Sequence, residues 1–368
     1  MKETHLIESI TEGKTEVFVF KNKESKKGPG SKDKLPFYNP SMELNRDLSI
    51  LVCQWLIDNC KRHVSILDGL AASGIRGVRL ANELKGDFDV TINDWNQDAF
   101  DLIKKNIEKN KLKNVSFFNN NLNTLLSEKK FQYIDIDPFG SPAYFIDSSM
   151  QSIRNYGVIA CTATDTATLC GTYPKVCLRR YGAVPFHSIA MKEIGLRILL
   201  GFICRGALLY DKGIKPLVCY VTDHYFRVYV QVLNGVSRAN DSLDDYIVVK
   251  KNSLVGAQTV KKDIGPLWMG KLQDKRVIEE LRTGLFEKKL GTKGELWKLL
   301  DLLEEESDAP AFFYTTDGLA SILKKSPPKR KTVFDSLKNK SYQVFRTHFS
   351  QTGFKTNAPI EKVKLIFK

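Results

Sequence analysis

The sequence predicts an α/β protein, a doubly wound and mostly parallel sheet followed by a smaller α+β domain, and three observations predict it. Short apolar runs at 65–68, 89–93, 115–118 and 133–136 each end in small, acidic or amide residues, as buried parallel strands do. Segments with helical spacing alternate with them up to about residue 212. Two β-rich runs, Lys215–Val221 and Phe226–Val232, then follow one another across a short turn and read as an antiparallel hairpin closing the sheet.

Taken in order, Glu16-Val17-Phe18-Val19-Phe20 alternates as one arm of a small sheet. Residues 21–34 hold six lysines against two acids, with two glycines and a proline, and read as a basic loop. Phe37-Tyr38-Asn39-Pro40 leads into a helix with Asn45, Arg46 and Asp47 near its start, and the strand and helix alternation begins there. Near residue 236 the chain becomes richer in charge, with helices expected at 273–289 and 294–304. The expected division is a first domain over 1–235 and a basic α+β second domain over 236–368.

Composition narrows the class. A chain of 368 residues with 42% hydrophobic content can build sizeable cores. Its net charge of +14 points to a polyanionic partner, most plainly nucleic acid. The surplus concentrates at the end, where 311–368 holds twelve Lys or Arg against three Asp or Glu. There, Ser326-Pro327-Pro328-Lys329-Arg330-Lys331 and Arg346-Thr347-His348-Phe349 mix cations, hydroxyls and aromatics as a nucleic-acid face does. Seven cysteines without C-x-x-C spacing read as free thiols of a reducing, cytoplasmic compartment and signal neither zinc nor a disulfide framework. The longest apolar stretch, Ile194 to Tyr210, is interrupted by Arg197 and Arg205, so it reads as a buried helix and not a membrane span.

The chemistry starts at the first strand, whose end Asp68 runs into Gly69-Leu70-Ala71-Ala72-Ser73-Gly74-Ile75-Arg76-Gly77. Small residues such as Ala71 and Ser73 let a ligand approach the backbone, and the helix N-terminus behind them favours anionic groups. The glycines at 69, 74 and 77 depart from G-x-G-x-x-G, which favours a smaller nucleoside ligand over a pyrophosphate. The second strand ends at Asp94, placed to accept hydrogen bonds from both hydroxyls of a ribose. The third ends in Asn119-Asn120-Asn121-Leu122, where amides can read a purine edge and Leu122 can pack on its face; a plain loop has the same look. Small-residue turn and ribose acid together form the arrangement of an S-adenosylmethionine site.

The next strand ends in Asp137-Pro138-Phe139-Gly140-Ser141-Pro142. A carboxylate accepts hydrogen bonds from an exocyclic amine, the proline carbonyl offers a second acceptor, and the ring supplies a stacking face. This set suits methyl transfer to the amino group of a planar base, with Asp137, Pro138 and Phe139 as the catalytic group. Asp135 lies two residues earlier and shares the strand face of Asp137. Asp165, after another strand end, is a further candidate for lining the base pocket, and equally suits an ordinary loop.

These motifs, with Phe37 to Leu48, Thr164-Asp165-Thr166-Ala167, Arg179-Arg180-Tyr181-Gly182-Ala183, Gly265-Pro266-Leu267-Trp268 and Lys355 to Pro359, closely resemble the tRNA guanine-26 N2-dimethyltransferases over nearly the whole chain. The resemblance implies a Rossmann-like class I methyltransferase domain using S-adenosylmethionine, with tRNA as partner. It implies that Arg46 and Arg76 meet the methionine part of the cofactor or its surroundings, that Asp94 holds the ribose, and that Asn121 and Leu122 meet the adenine. Members commonly carry Asp-Ala at those last two positions. It further implies that Phe37 and Phe139 sandwich the guanine while Asp137 takes its amine. Many relatives carry a cysteine cluster for zinc just before the Gly-Pro-Leu-Trp element; Val248 to Ile264 has none, so no metal is expected. No obligate protein partner is evident. The rival expectations are a methyltransferase of this fold acting on DNA, a protein amide or a neighbouring tRNA guanine, and a non-catalytic RNA-binding protein.

Overall fold

The computed structural model describes residues 7–21, 36–222 and 224–367, so the basic loop expected at 21–34 lies outside the described residues apart from Lys21. The N-terminal alternation forms an antiparallel pair, β1 (Ile7–Glu12) and β2 (Thr15–Phe20), in register from Ile7↔Phe20 to Glu12↔Thr15. Helix α1 (Glu43–Asn59) follows. Then β3 (Val64–Asp68), α2 (Ile75–Glu83), β4 (Phe88–Asn93), α3 (Gln97–Lys109), β5 (Val115–Phe118), α4 (Leu122–Glu128), β6 (Phe131–Ile136), α5 (Ile146–Ser152) and β7 (Ile153–Ala163) alternate as expected. Two short helices, α6 (Thr166–Leu169) and α7 (Pro174–Tyr181), precede the buried α8 (Met191–Leu208), and β8 (Lys212–Val221) and β9 (Phe226–Asn234) form the hairpin.

Seven strands make one sheet in the order β5-β4-β3-β6-β7-β9-β8. Pairing is parallel from β5 through β7, with Asp68 beside both Ile92 and Asp135, Asn93 beside Phe118 and Ile136 beside Cys161. These registers bring the C-terminal ends of five strands to one edge. The strand order reverses between β3 and β6, and a crevice outside the carboxyl ends at such a reversal is where α/β sheets bind ligands. The strands there are apolar because both faces are covered: Ile66, Leu67, Val90, Ile92, Ile134 and Ile136 are fully buried.

The described chain divides into two compact units, and the division differs from the boundary expected at 235/236. The first comprises residues up to Thr164, Arg227–Asn234 and Glu279–Lys298; the second comprises Asp165–Phe226, Gly235–Ile278 and Leu299 onward. The difference is that Asp165–Phe226, with α6, α7, α8 and β8, groups with the C-terminal half while the stretch Glu279–Lys298 of that half groups with the first unit, which a linear change in composition cannot register. Within the second unit, α8 buries Arg197 by pairing it with Glu193 one turn earlier. A small core of Leu319, Val333, Leu337, Phe354 and Val363 supports a three-stranded sheet formed by Tyr314–Thr315, Val344–Arg346 and Gly353–Thr356.

Arg346-Thr347-His348-Phe349 is a brace, not an exposed nucleic-acid face. Arg346 pairs with Asp301 at 2.9 Å and with Glu305, while Thr347 and His348 both bond Glu306. Its cation is neutralised by acids that precede it by some forty residues. Lys324, Lys325, Lys329, Lys331, Lys338 and Lys340, by contrast, are all exposed. All seven cysteines are free, five of them buried. Among the described residues no helix is long and apolar enough to cross a membrane, and no group of three or more His, Cys, Asp or Glu could hold a metal ion.

Candidate functional site

The site begins where β3 ends. The Asp68 carboxylate accepts the Gly77 N–H at 2.8 Å and so ties the strand end to the first turn of α2. Gly69 must be glycine: a Cβ there would come within 2.9 Å of the Leu122 side chain and 3.0 Å of the Asp135 carbonyl. Gly74 opens α2 at φ +77°, a left-handed conformation that glycine adopts freely. Between them Ala71 donates its N–H to the Asn93 carbonyl at 3.0 Å, and Ala72 donates to Asp94 Oδ2 at 2.8 Å. Ser73 is buried, and its carbonyl accepts from Asn106.

Burial pushes the Asp68 carboxyl up to about 7, against the nearby Arg76 and the Gly77 N–H that favour its charged form. Because the folded value lies above the unfolded one, the stability this group contributes is full below about pH 4 and is lost as pH rises through about 7. The difference in unfolding free energy, wild type minus Asp68→Asn, is therefore expected to fall by on the order of 3 kcal/mol between pH 4 and pH 8. Chemical denaturation of both proteins across that range checks it; a difference that stays flat or rises would contradict the assignment.

Asp94 stands at the end of β4 with its second oxygen accepting the Asn96 N–H at 2.9 Å, and burial raises its carboxyl above the ordinary range. Asn93, just before it, ties the strand end to two loops: its amide donates to the Gly69 and Asn120 carbonyls and its oxygen accepts the Asn120 N–H. Asn119 donates to the Asp94 carbonyl. The asparagine run is thus largely loop scaffolding. Asn121 caps α4 through the Asn123 N–H at 2.9 Å, and Leu122 is only 2% exposed beneath Gly69, so it presents little open face. The open ring is Trp95, 76% exposed directly after Asp94. A bulky aromatic next to a strand-end acid was a signal the sequence carried and its reading passed over.

Beyond β6, Asp137 lies one-fifth exposed, and Arg76 donates from Nη2 to its Oδ2. Arg76 is in turn fixed by Asn45 Oδ1 at 2.8 Å and Ser49 Oγ at 2.7 Å, and its Nη1 is 3.5 Å from Asp135. Asp135 is fully buried. Arg227 of β9 grips both its oxygens, at 3.0 and 2.6 Å, and Tyr133 donates to it at 2.8 Å. Burial alone would raise the Asp135 carboxyl, but Arg227 and Arg76 outweigh it and hold it below the ordinary range. So Asp135 has no free face for a substrate, and its place in the site is to balance the two arginines.

Phe139 is 50% exposed, with its ring centroid 6.0 Å from that of Phe37 and tilted 52° to it. A base stacked between them needs about 7 Å, so the rings must part by about 1 Å. Gly140 locks the turn behind Phe139 through a mutual pair with Thr164, N–H to Oγ1 at 2.7 Å and carbonyl from N–H at 2.9 Å. Pro138 sits between, partly buried. Phe37 is carried by a segment that Glu12 of β1 anchors: Glu12 accepts from Tyr38 Oη at 2.8 Å, from Arg46 Nε at 2.8 Å and from Arg79 at 3.1 Å. Arg46 also donates to the Asn39 carbonyl at 3.1 Å, so its guanidinium is committed to holding this lip. Asp165 belongs to the second unit, where Tyr181 Oη and Arg180 donate to its carboxylate at 2.7 and 3.1 Å. That unit also holds a cavity of about 600 Å³ between 269–273 and 306–311, whose buried Arg197 and Lys355 are both paired with Glu193.

A small-residue turn after the first strand, an acid closing the second and an Asp-Pro-Phe edge on the fourth, all at one end of a β5-β4-β3-β6-β7 sheet, define a Rossmann-like methyltransferase domain. Comparison with known proteins agrees. Residues 18–368 match the family model TRM, described as N2,N2-dimethylguanosine tRNA methyltransferase. The tRNA (guanine(26)-N(2))-dimethyltransferase of Methanobrevibacter smithii is 38% identical, with 92% of each chain covered, and that of Pyrococcus furiosus is 38% identical, with 96% of each covered. Trm1 from Pyrococcus horikoshii, solved with S-adenosyl-L-methionine, superposes with a TM-score of 0.86 at 34% identity, covering 98% of this chain and 99% of its own. The chain belongs to the family of N2,N2-dimethylguanosine tRNA methyltransferases.

Proposed function

We propose that this protein transfers methyl groups from S-adenosylmethionine to the exocyclic N2 of a guanine in tRNA, at position 26, giving first the monomethyl and then the dimethyl base. The observation that carries the reading is Asp137 beside an exposed Phe139, one strand over from the turn at Gly69–Gly74. Those residues suit the cofactor: the turn Gly69–Gly74 is built mostly of small residues, Asp94 stands where a ribose would be held, and Trp95 offers a face for adenine. When bound, the cofactor supplies an electrophilic methyl on a sulfonium, a good leaving group.

The protein's part is positioning. The guanine N2 lone pair is delocalised into the ring and must be localised and aimed. Arg76 occupies Oδ2 of Asp137 and leaves Oδ1 to accept one N2–H. The Pro138 carbonyl accepts the other, which favours a pyramidal nitrogen, and Phe37 and Phe139 fix the ring plane. Asp137 takes the released proton, directly or through water. A guanine inside the tRNA stem must flip or open to reach the lip. The exposed lysines between 324 and 340, together with the lysine-rich sequence 21–34, supply phosphate contacts, and the reaction takes place in the cytoplasm.

Transfer of labelled methyl to unmodified tRNA transcripts tests this. Wild type should yield N2-methylated guanosine, and a transcript with adenine at position 26 should yield none. Label surviving that replacement would move the target to a neighbouring guanine, and no label on any tRNA would return the choice to DNA, protein amide or binding alone.

A further inference from the structure

We propose that Phe286 and Trp297 form a second, non-catalytic contact with the substrate, a stacking platform for an unstacked base of the same tRNA. The inference rests on the tRNA reading above and extends it to a surface that reading does not use. Both rings are large apolar groups left open, Phe286 at 67% and Trp297 at 38% exposure. They meet edge to face with centroids 5.6 Å apart. Each carries a cation: the Arg282 guanidinium lies 4.3 Å from the Trp297 ring centroid, and Lys293 Nζ lies 4.9 Å from that of Phe286.

An apolar protein partner would have to desolvate those two cations to reach the rings. A nucleobase does not, because its flat face stacks on the open ring while its phosphate meets the charge. Flipping the target guanine also leaves neighbouring bases without their stacking partner, so the substrate itself presents the required ligand.

The platform is fixed relative to the methyl-transfer residues because it belongs to the same unit. Trp55 donates its indole N–H to Glu280 at 2.7 Å, and Lys288 donates to Gln54 at 2.6 Å and to the Glu83 carbonyl at 3.0 Å. Thr292 donates from N–H and Oγ1 to Asp47 at 2.9 and 2.7 Å. Asp47 lies near the start of α1, the helix entered directly from the Phe37 lip. A base held at Phe286 would therefore orient the tRNA against the same rigid body that receives its guanine.

The test compares wild type, Phe286→Ala, Phe286→Tyr and Lys293→Gln by tRNA binding over a salt series and by methyl transfer at saturating tRNA. Phe286→Ala should weaken tRNA binding about tenfold with the salt slope unchanged, because stacking neutralises no phosphate. Turnover at saturation and S-adenosylmethionine affinity should stay at wild-type values, and Phe286→Tyr should bind as wild type does. Lys293→Gln should reduce the salt slope by about one. Unchanged tRNA affinity in Phe286→Ala would overturn the proposal, as would self-association abolished by that variant alone, which would give the surface to a second copy. Loss of S-adenosylmethionine binding in Phe286→Ala would also overturn it by making the ring a fold support. Phe286-dependent tRNA binding by a wild type that methylates no guanine would keep the platform and overturn the functional reading.

Discussion

Replacing Asp137 by alanine should lower turnover by about a thousandfold, the range seen when a positioned proton acceptor or a transition-state hydrogen bond is lost. The KM for tRNA should change little, since the proposed stacking between Phe37 and Phe139 and the proposed phosphate contacts would be untouched. Asp137→Asn should be nearly as damaging: an amide oxygen can accept the N2–H, but the residue can no longer take a proton. A single-turnover rate at saturating S-adenosylmethionine separates chemistry from binding. An alanine variant retaining a tenth of wild-type turnover would remove Asp137 from the reaction and leave the Pro138 carbonyl as the main acceptor.

The second large effect is expected at a residue that touches no substrate. Arg227→Met leaves Asp135 buried at the centre of the sheet without its main partner, and breaking such a pair costs about 3–5 kcal/mol. Arg76, with Nη1 already 3.5 Å from Asp135, becomes the only guanidinium available and is drawn from Asp137. Turnover should then fall together with stability. The double variant Asp135→Asn, Arg227→Met removes both charges, and it should recover most of the stability and restore Arg76 to Asp137. Denaturation midpoints and turnover of the two single variants and the double variant check this. Additive losses would show that the two residues do not act through one another.

Much of this arrangement was legible because the strands that build the site are short, apolar and punctuated. Asp68, Asp94 and Asp137 each stand at the end of such a run; in the fold Asp68 and Asp94 also accept backbone N–H groups of the turns they face. The supporting partners were less visible. Arg227 lies 92 positions from Asp135 in sequence and meets it across β7, the strand that stands between theirs; its one signal was a cation inside the apolar run Phe226-Arg227-Val228-Tyr229-Val230, since charge is buried only when paired. Glu12, whose carboxylate holds the segment of Phe37, stands outside the alternating run Glu16–Phe20 and carries no local pattern of its own. Arg346-Thr347-His348-Phe349 misled for the opposite reason. Its composition matches a nucleic-acid face, and only the fold reveals that Asp301, Glu305 and Glu306 consume it. The domain boundary shifted because Glu279–Lys298 returns to the first unit, taking the Phe286 platform with it.

The anchoring of the lip has a consequence for how the enzyme accommodates two successive products. Immediately after Phe37 the backbone is pinned, with Tyr38 held by Glu12 and the Asn39 carbonyl held by both Arg46 and the Met42 N–H. With the turn behind Phe139 also held, by the Gly140–Thr164 pair, the opening of about 1 Å that a base stacked in the proposed slot would require would fall to torsion of the two ring side chains. A methyl on N2 lies in the plane of the base, so the unmodified and the monomethylated guanine ask the same spacing of the two rings, and one opening of the proposed slot would serve both transfers.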